Sequence, residues 1–380
     1  MSFMKLPVLR HGLMSRHEDI FPDAAIAGRI ERARKLMQKS KVKSLLVYSD
    51  AVTSGPVCYL TNYPCYGLGR RATVVLGLTE GPFLFTAEPS RNLPRVRLFT
   101  SCDLEKTRQF IPAGCKRAGE LAGGGPIGMV NGSSVSVGFA KDMETKLAGL
   151  DVKDLSREYW ALLSAKDQGS LKATRRAIEM AREGMNFIGE QLSTAKDLWQ
   201  LAADVDYRLR ILGCEDTNIL LGCAKGRHHR PGYPTHIRPL PGEHILAIIG
   251  VQHARHWGLI GRTFALGQKN RALDDMLGTL KELQRRVAGE VRVGISMGKL
   301  RALFLDGGRE LGLTLAQDLP PVTGLGFDPL EYPTSSEDIL EDNMSLQVAL
   351  AVDSEKGFTA MLVDMLIITP NGGVWISKES

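Results

Sequence analysis

The chain has 380 residues, 43% of them hydrophobic and 24% charged, which is the mixture of a globular protein with room for one large domain or two ordinary ones. Its formal net charge of +6 is spread along the chain without a long lysine or arginine run, which argues against a nucleic-acid-binding arm. The apolar runs are shorter than the roughly 20 residues that span a membrane, and the N-terminal stretch lacks the apolar region of a signal peptide.

Six cysteines form no C-x-x-C pair, so neither a zinc ribbon nor a redox motif is indicated. Reduced thiols are typical of cytoplasmic proteins of this size. We therefore expect a cytoplasmic protein that binds neither nucleic acid nor membrane.

The first half of the chain alternates helix and strand patterns. A helix is predicted over 27–39. Four short apolar runs typical of buried strands are SLLVY (44–48), ATVVLG (72–77), PFLFTA (82–87) and PIGMV (126–130). This order predicts an α/β layer with a largely buried sheet.

A different pattern begins near residue 160. Residues 168–192 place apolar side chains every three or four positions, which predicts a long amphipathic helix. A second helix over 197–211 and strand patterns up to about residue 266 follow. The same order recurs in helices at 270–288 and 296–312 and strands within 345–377, which indicates an internal duplication.

This change in the pattern of helices and strands places a domain boundary after residue 158, giving domains 1–158 and 159–380. Two duplicated halves would bring two curved antiparallel sheets together with helices outside. A pocket between such halves is the natural place for a ligand.

Several stretches of the second half resemble a family of enzymes. These stretches are HHRPGYPTHIRPLPGEHILAIIGV (228–251), GRTFALG (261–267), TGLGFDPLEYP (323–333), LEDNMSLQVALAV (340–352) and MLVDMLIITPNGG (361–373). They are similar to the creatinase, prolidase and aminopeptidase P family, and the resemblance extends over nearly the whole chain. It implies an α/β creatinase-like N-terminal domain and an α+β pita-bread C-terminal domain with an internal pseudo-twofold repeat.

In metallopeptidases of this family, two aspartates, one histidine and two glutamates hold two metal ions, which activate a bridging water. The resemblance places these five ligands at Ile248, Leu259, Leu325, Ala349 and Val363. Ile248 and Leu259 keep the spacing of the two aspartates, yet all five side chains are aliphatic. We therefore expect no metal and no other cofactor, and an inward surface that has become apolar.

Creatinase has this fold and works without metal, with a histidine as general base and acid. His229 stands in H-R-P, which resembles the H-N-P at that histidine with a small shift in spacing, and His228 is adjacent. Imidazole suits the role because its ordinary pKa of about 6.5 lets it take and return a proton near neutrality. His229 is the predicted catalytic residue, with His228 as a substrate contact or as the alternative functional histidine.

A second link to creatinase lies in YLTNYPCYGLGRRATVVLG (59–77). In the family, an arginine at this place reaches the partner subunit's site and binds the substrate carboxylate. That arginine position falls on Arg70, and Arg71 follows it. A guanidinium binds a carboxylate with two parallel hydrogen bonds. The resemblance thus implies a homodimer in which the N-terminal domain completes the partner's site.

Creatinase's guanidinium-binding glutamates fall on Gly261 and Ala349, neither of which binds a cation, so creatine is not the expected substrate. Gln347 shares a strand face with Ala349 and is predicted to offer its amide to the pocket. Glu331, with Asp328 in the same loop, is a further candidate for the substrate or the surface.

Other polar residues of this region are assigned away from the pocket. His253 and His256 are expected to be exposed at a hairpin tip, Arg262 and Thr263 to support the fold, and Asp364 to point away from the pocket by strand alternation.

Two functions remain open at this point. The first is a metal-independent enzyme that cleaves a C–N bond, or carries out a related elimination or cyclisation, on a small carboxylate-bearing, amino-acid-like or amide substrate. The second is a non-catalytic pseudo-peptidase that binds a peptide, protein or metabolite.

Overall fold

The structure is a computed structural model that describes residues 17–65, 71–316, 318, 322–329 and 331–376. It divides into two compact units, Met1–Leu163 and Ser164–Ser380. The boundary predicted after residue 158 falls inside the helix Ser156–Ser164. Among the described residues no helix has the length and apolarity needed to cross a bilayer.

The first unit is a six-stranded mixed sheet with helices, as the alternating sequence pattern predicts. Its helices are α1 (Asp23–Lys39), α2 (Gly55–Thr61), α3 (Leu93–Val96), α4 (Phe110–Ala122), α5 (Val137–Lys146) and α6 (Ser156–Ser164). Its strands are β1 (Ser44–Ser49), β2 (Ala72–Gly77), β3 (Phe83–Thr86), β4 (Asp103–Lys106), β5 (Ile127–Val130) and β6 (Val152–Asp154).

The strand order of this sheet is β4-β3-β2-β1-β5-β6. Every residue of β1 and β2 is buried, which explains why these runs are continuously apolar rather than alternating. Apolar side chains of β1, β2 and β3 pack with those of α4 and α5 to form the core of the unit.

The second unit contains the duplication that the sequence pattern predicts. Its helices are α7 (Gln168–Gln191), α8 (Leu198–Ile211), α9 (Arg271–Glu290) and α10 (Met297–Glu310). Its strands are β7 (Asp216–Ala224), β8 (His244–His253), β9 (His256–Ala265), β10 (Val322–Gly324), β11 (Ser345–Ser354), β12 (Phe358–Thr369) and β13 (Gly372–Trp375).

The sheet of this unit runs in the order β10-β11-β12-β9-β8-β7, and β13 pairs with β12. Each half contributes three consecutive antiparallel strands, and the halves meet where β9 pairs with β12. This order is symmetric about the β9–β12 pair, so the sheet itself carries the pseudo-twofold repeat.

All four helices of the second unit begin at a side-chain cap. Asp167, Asp197, Asn270 and Ser296 each accept a hydrogen bond from the backbone N–H three residues later. Such caps satisfy amide groups that have no partner within the helix. They explain why the helices start within a residue or two of the positions that the periodicity predicts.

The two faces of this sheet differ in what covers them. On the outer face a Cβ at Gly258 would touch the backbone of Ile178 in α7, and Gln284 of α9 donates to the carboxylate of Asp364 in β12. Strand alternation therefore places the neighbouring odd-numbered residues of β9 and β12 on the opposite face. We call that opposite side the inward face.

Candidate functional site

Four of the positions to which the resemblance assigns functional residues form one row across the inward face. Ile248 of β8 pairs with Gly261 of β9, Gly261 pairs with Val363 of β12, and Val363 pairs with Ala349 of β11. Directly paired residues point to the same side of an antiparallel sheet. We call these four residues the aliphatic row, and it includes three of the five positions that the resemblance assigns to metal ligands.

The aliphatic row is closed over its glycine. A Cβ at Gly261 would lie 2.7 Å from Cγ2 of Val363 and 3.0 Å from Cγ1 of Ile248. The two aliphatic side chains therefore meet over Gly261, and they belong to one hydrophobic cluster. A larger side chain at Gly261, such as the glutamate of creatinase, would require both neighbours to move.

The remaining two assigned positions are also buried among apolar groups. Leu259 stands opposite Gly250, and its Cδ1 would lie 3.6 Å from a Cβ at that glycine. Leu325 is 1% exposed and is fixed by backbone and side-chain hydrogen bonds with Ser345.

These five aliphatic side chains have no donor atom for a metal ion, so they do not fit the dinuclear metal of the resemblance. Within the part of the chain that the structure describes, no group of three or more histidine, cysteine, aspartate or glutamate residues is arranged to hold a metal ion. The chemistry of this face must therefore be sought among its other polar groups.

His229 is the polar residue that the structure brings to the inward face beside the row. Its Cδ2 lies 3.2 Å from the place of a Cβ at Gly222, which pairs with Leu246, two residues along β8 from Ile248. Both ring nitrogens are buried and lie near the backbone of Gly222 and Arg227, whose hydrogen bonds act to raise the pKa of the ring. Burial lowers the pKa of His229 below its ordinary value, so the ring is neutral at pH 7 and able to accept a proton.

His228 forms a hydrogen bond with the end of a neighbouring strand. Its Nε2 donates a 2.6 Å hydrogen bond to the carbonyl of Ser354, where β11 ends. Of the two adjacent histidines, His229 is therefore the one whose ring lies against the inward face, beside Gly222.

Arg230 anchors the loop that carries both histidines. Its guanidinium binds the carboxylate of Asp318 at 2.9 and 3.0 Å and that of Asp353 at 2.8 and 2.9 Å, and it also contacts Thr359 and the carbonyl of His229. These bonds hold the pKa of Asp318 and of Asp353 below the ordinary aspartate value. The network fixes where His229 lies relative to the β11–β12 hairpin.

Replacing Arg230 with methionine is expected to lower the free energy of unfolding by about 1–2 kcal/mol at neutral pH, because the partly exposed carboxylates are screened by water. The folded pKa values of Asp318 and Asp353 are depressed, so the stabilisation is fully present above their unfolded value of about 3.9. It is lost as pH falls through the folded values. Urea unfolding at a series of pH values should show the two proteins converging in acid.

The control is Arg285→Met, which removes an exposed arginine paired with Glu282 on the same helix. We expect this control to lower the free energy of unfolding by less than about 0.5 kcal/mol. A difference between wild type and Arg230→Met that stays constant down to pH 3 would contradict the assignment.

Glu331 occupies a buried ion pair rather than an open substrate surface. Its Oε2 lies 2.8 Å from Nζ of Lys166, both side chains are 1% exposed, and its Oε1 accepts from the backbone N–H of Asp328. Both carboxylate oxygens are thus occupied within the chain. The sequence could not indicate this role, because Lys166 is 165 residues away.

The expectation that His256 is exposed is wrong. The residue is 0% exposed, its Nδ1 donates to the carbonyl of Ala254, and its ring lies 4.3 Å from that of Phe327. The cause is the buried ion pair of Arg255 with Glu215, which brings the tip of the β8–β9 hairpin into the interior. His253, on the other side of the turn, is half-buried.

Arg262, Thr263 and Asp364 support the fold, as expected. Arg262 binds Asp364 at 2.8 Å on the outer face. The hydroxyl of Thr263 donates to the carbonyl of Thr359 and accepts from the amide of Met361, which joins β9 to β12. These bonds hold the two halves of the sheet together beside the aliphatic row.

The predicted carboxylate-binding arginines belong to the first unit. Arg70 lies outside the described residues. Arg71 precedes β2, and its guanidinium lies 5.2 Å from the centre of the Phe139 ring of α5, within the same unit. This contact is a cation–π interaction.

Gln347 lies on the inward face two residues from Ala349, as strand alternation predicts, and it pairs with Thr323 of β10. Thr323 therefore lies on the inward face directly opposite Gln347. Burial, and to a lesser extent His229, lowers the pKa of His244 at the start of β8 below its ordinary value. Sequence reasoning missed both, because only the strand register reveals these neighbours.

Comparison with known proteins places this geometry in a family. The model of metallopeptidase family M24 matches residues 172–370. An Xaa-Pro dipeptidase of Pyrococcus horikoshii is 22% identical over 253 residues, which is 65% of this chain and 72% of that protein. An Xaa-Pro dipeptidase of Pyrococcus furiosus is 22% identical over 220 residues, covering 56% of this chain and 63% of that protein.

Solved structures agree with the fold described above. A prolidase from Pyrococcus horikoshii superposes with a TM-score of 0.77 at 16% identity, over 93% of this chain and 99% of its own. An X-Pro aminopeptidase from Thermotoga maritima superposes with a TM-score of 0.78 at 17% identity, over 92% of this chain and 98% of its own. The α/β first unit and the duplicated second unit are thus the two parts of the pita-bread architecture, and the chain belongs to metallopeptidase family M24.

Proposed function

We propose that this chain is a metal-independent hydrolase of the family, which cleaves a C–N bond in a small carboxylate-bearing, amino-acid-like substrate with His229 as general base and acid. The observation that carries the proposal is the position of the His229 imidazole on the inward face beside the aliphatic row, where burial lowers its pKa and favours the neutral, proton-accepting ring. Relatives named Xaa-Pro dipeptidases support a substrate of the dipeptide or acyl-amino-acid class.

The aliphatic row supports metal independence. Ile248, Val363 and Ala349 supply no ligand atoms where the resemblance assigns an aspartate and two glutamates. His229 would take a proton from the attacking water as its oxygen bonds to the carbonyl carbon. It would return that proton to the leaving nitrogen as the C–N bond breaks.

The substrate carboxylate and the quaternary structure extend the proposal. We assign the carboxylate to Arg70 or Arg71 of the partner subunit in a cytoplasmic homodimer, with the amide of Gln347 as a further contact. The support is the resemblance of residues 59–77 to creatinase and the inward position of Gln347.

Replacing His229 with glutamine is expected to lower kcat/KM by about 10²–10⁴, the usual contribution of a general acid–base group. Assays would follow hydrolysis of glycylproline and N-acetylglycine, with EDTA present. Because burial lowers the pKa of His229, the base form dominates at neutral pH. Wild-type activity should therefore fall in acid with a midpoint below pH 6.5, as His229 becomes protonated.

The control is His236→Gln, since the side chain of His236 is 74% exposed and bonded to Asp197, the residue that caps α8. It should keep full activity. Unchanged turnover in His229→Gln, or activity that EDTA abolishes and Zn²⁺ or Mn²⁺ restores, would refute the proposed chemistry.

The closed packing over Gly261 favours a second candidate, a non-catalytic pseudo-peptidase that binds a peptide, protein or metabolite. Here the inward face would be core, and His229 would have no reacting group to serve. Stoichiometric capture of one partner by a purified protein that hydrolyses none of these substrates would support this candidate over the first.

A further inference from the structure

Helix α8 is apolar on two sides. Its buried side consists of Leu198, Leu201, Val205 and Leu209, which pack into the core of the second unit. A helix at the surface of a globular protein normally presents polar side chains to water on the opposite side. The opposite side of α8 carries large apolar groups instead.

The exposed apolar residues of α8 follow each other at intervals of four, as Trp199, Ala203, Tyr207 and Ile211. We call these four residues the α8 stripe. Tyr207 is 70% exposed, Ile211 67% and Trp199 43%. Residues four apart are neighbours on a helix surface, so the stripe runs for about 18 Å along the helix. Clustered apolar side chains in contact with water are typical of a protein–protein contact.

The loop before β8 widens the N-terminal end of this stripe. The backbone amides of Leu198 and Trp199 donate hydrogen bonds of 3.0 and 2.9 Å to the carbonyls of Ile237 and Thr235. These bonds join the loop to the first turn of α8, and the side chain of Ile237 is exposed. One end of the stripe therefore presents Trp199 and Ile237 together.

The charges beside the stripe indicate which partner fits it. Asp204 and Arg208 are both exposed and lie one turn apart. Arg208 lies over the Phe187 ring of α7 and 3.8 Å from the carboxylate of Glu183, a pair that is half exposed and contributes little. Its guanidinium can therefore bind another carboxylate. An acid followed one turn later by a base is complementary to its own copy turned end to end.

We propose that the α8 stripe is a contact surface for a second copy of this chain, with the two helices antiparallel about a twofold axis near residue 205. Trp199 then stands opposite the partner's Ile211. The small side chain of Ala203 stands opposite the large one of the partner's Tyr207, which allows the helices to approach closely.

The antiparallel order is favoured by electrostatics. It places Asp204 within about 3 Å, measured along the helix axis, of the level of the partner's Arg208. It also sets the positive end of each helix dipole beside the negative end of the other. A parallel pair would put equal charges at the same level, which costs affinity.

This contact involves only residues of the second unit, so it is independent of the contact assigned to Arg70. With both contacts the assembly contains at least four chains, and with the α8 contact alone it contains two. Neither number depends on whether the protein hydrolyses a substrate.

The test is sedimentation velocity of the purified chain over a concentration series. Asp204→Arg and Arg208→Asp each place like charges across the axis, and each should raise the dissociation constant tenfold or more. In an equal mixture of the two variants, opposite charges meet again at both ends of the contact. The mixture should therefore recover the assembly of the wild type, which a surface for an unrelated partner would not do.

Tyr207→Glu should halve the mass of the assembly, because it puts a charge in the middle of the stripe. Val293→Glu is the matched control, since Val293 is an exposed apolar residue between α9 and α10, and it should assemble like wild type. Circular dichroism should show every variant folded. Single charge variants that assemble like wild type, a mixture that recovers nothing, or a wild type that stays in the same state as Tyr207→Glu at every concentration would overturn the inference.

Discussion

Replacing Gly326 with alanine is expected to lower the free energy of unfolding by about 3–5 kcal/mol, the cost of breaking a buried ion pair. A Cβ at this position would collide with Nζ of Lys166 and with Oε2 of Glu331. Both side chains are 1% exposed, so neither charge can move into water. The pair would have to separate inside the protein, which weakens the attraction between two buried charges.

The backbone of Gly326 has no freedom to move away. Its carbonyl accepts a 2.7 Å hydrogen bond from the amide of Trp257, and its amide bonds to the carbonyl of Asp328. Moving the loop would break contacts to the β8–β9 hairpin. The added methyl group therefore acts on the ion pair.

Guanidinium chloride unfolding followed by tryptophan fluorescence measures the effect. Gly232→Ala is the matched control, because nothing lies within 4 Å of a Cβ at that loop glycine. Equal midpoints for the two variants would show that the ion pair is not as tightly enclosed as described.

A triple variant distinguishes electrostatics from simple overpacking. When Lys166→Met and Glu331→Leu remove both charges, the alanine should cost less, since replacing a buried ion pair with apolar groups is often close to neutral. An alanine that costs the same with and without the charges would point to steric overlap alone.

The sequence predicts local features of this protein well because they depend on local patterns. The apolar periodicity of residues 168–192 corresponds to α7, Gln168–Gln191, which begins at the cap Asp167. The repeat of helices and strands predicts two duplicated halves, but the structure joins them into one sheet at the β9–β12 pair rather than into two separate sheets. Alternation along β11 and β12 places Gln347 on the inward face and Asp364 on the outer one.

Contacts between distant residues could not be predicted in this way. The partners of Arg230 lie 88 and 123 residues away, and the turn that buries His256 depends on Glu215, 40 residues before Arg255. The order of charged residues along the chain does not indicate which carboxylate pairs with which cation. For that reason the sequence leaves Glu331 as a candidate for the substrate or the surface and gives no sign of its ion pair with Lys166.

Replacing Ile248 with aspartate tests whether the aliphatic row is closed. This change puts back one ligand that the resemblance assigns to metallopeptidases of this fold. Ile248 is 8% exposed and packs against Val363 over Gly261, so the new carboxylate would be buried without a partner. We expect a loss of about 3–5 kcal/mol at pH 7.

The pH dependence of the unfolding free energy distinguishes the cost of burying a charge from the cost of losing side-chain volume. Burial raises the folded pKa of an aspartate above its unfolded value of about 3.9, so the penalty grows as pH rises from the unfolded to the folded value. Ile248→Asp should therefore be nearer to wild type at pH 4 than at pH 8. The control Ile248→Val removes volume only and should cost about 0.5–1.5 kcal/mol at both pH values.

The same variant tests metal chemistry in the row. A single carboxylate beside Val363 and Ala349 offers too few donor atoms to hold a divalent ion, so Zn²⁺ or Mn²⁺ should not raise the unfolding midpoint of Ile248→Asp. Stabilisation of this variant by either ion, with Ile248→Val unaffected, would mean that further ligands stand close to the row. The inward face would then be a metal site missing one residue, and His229 would have to be reconsidered as a partner of the metal rather than its replacement.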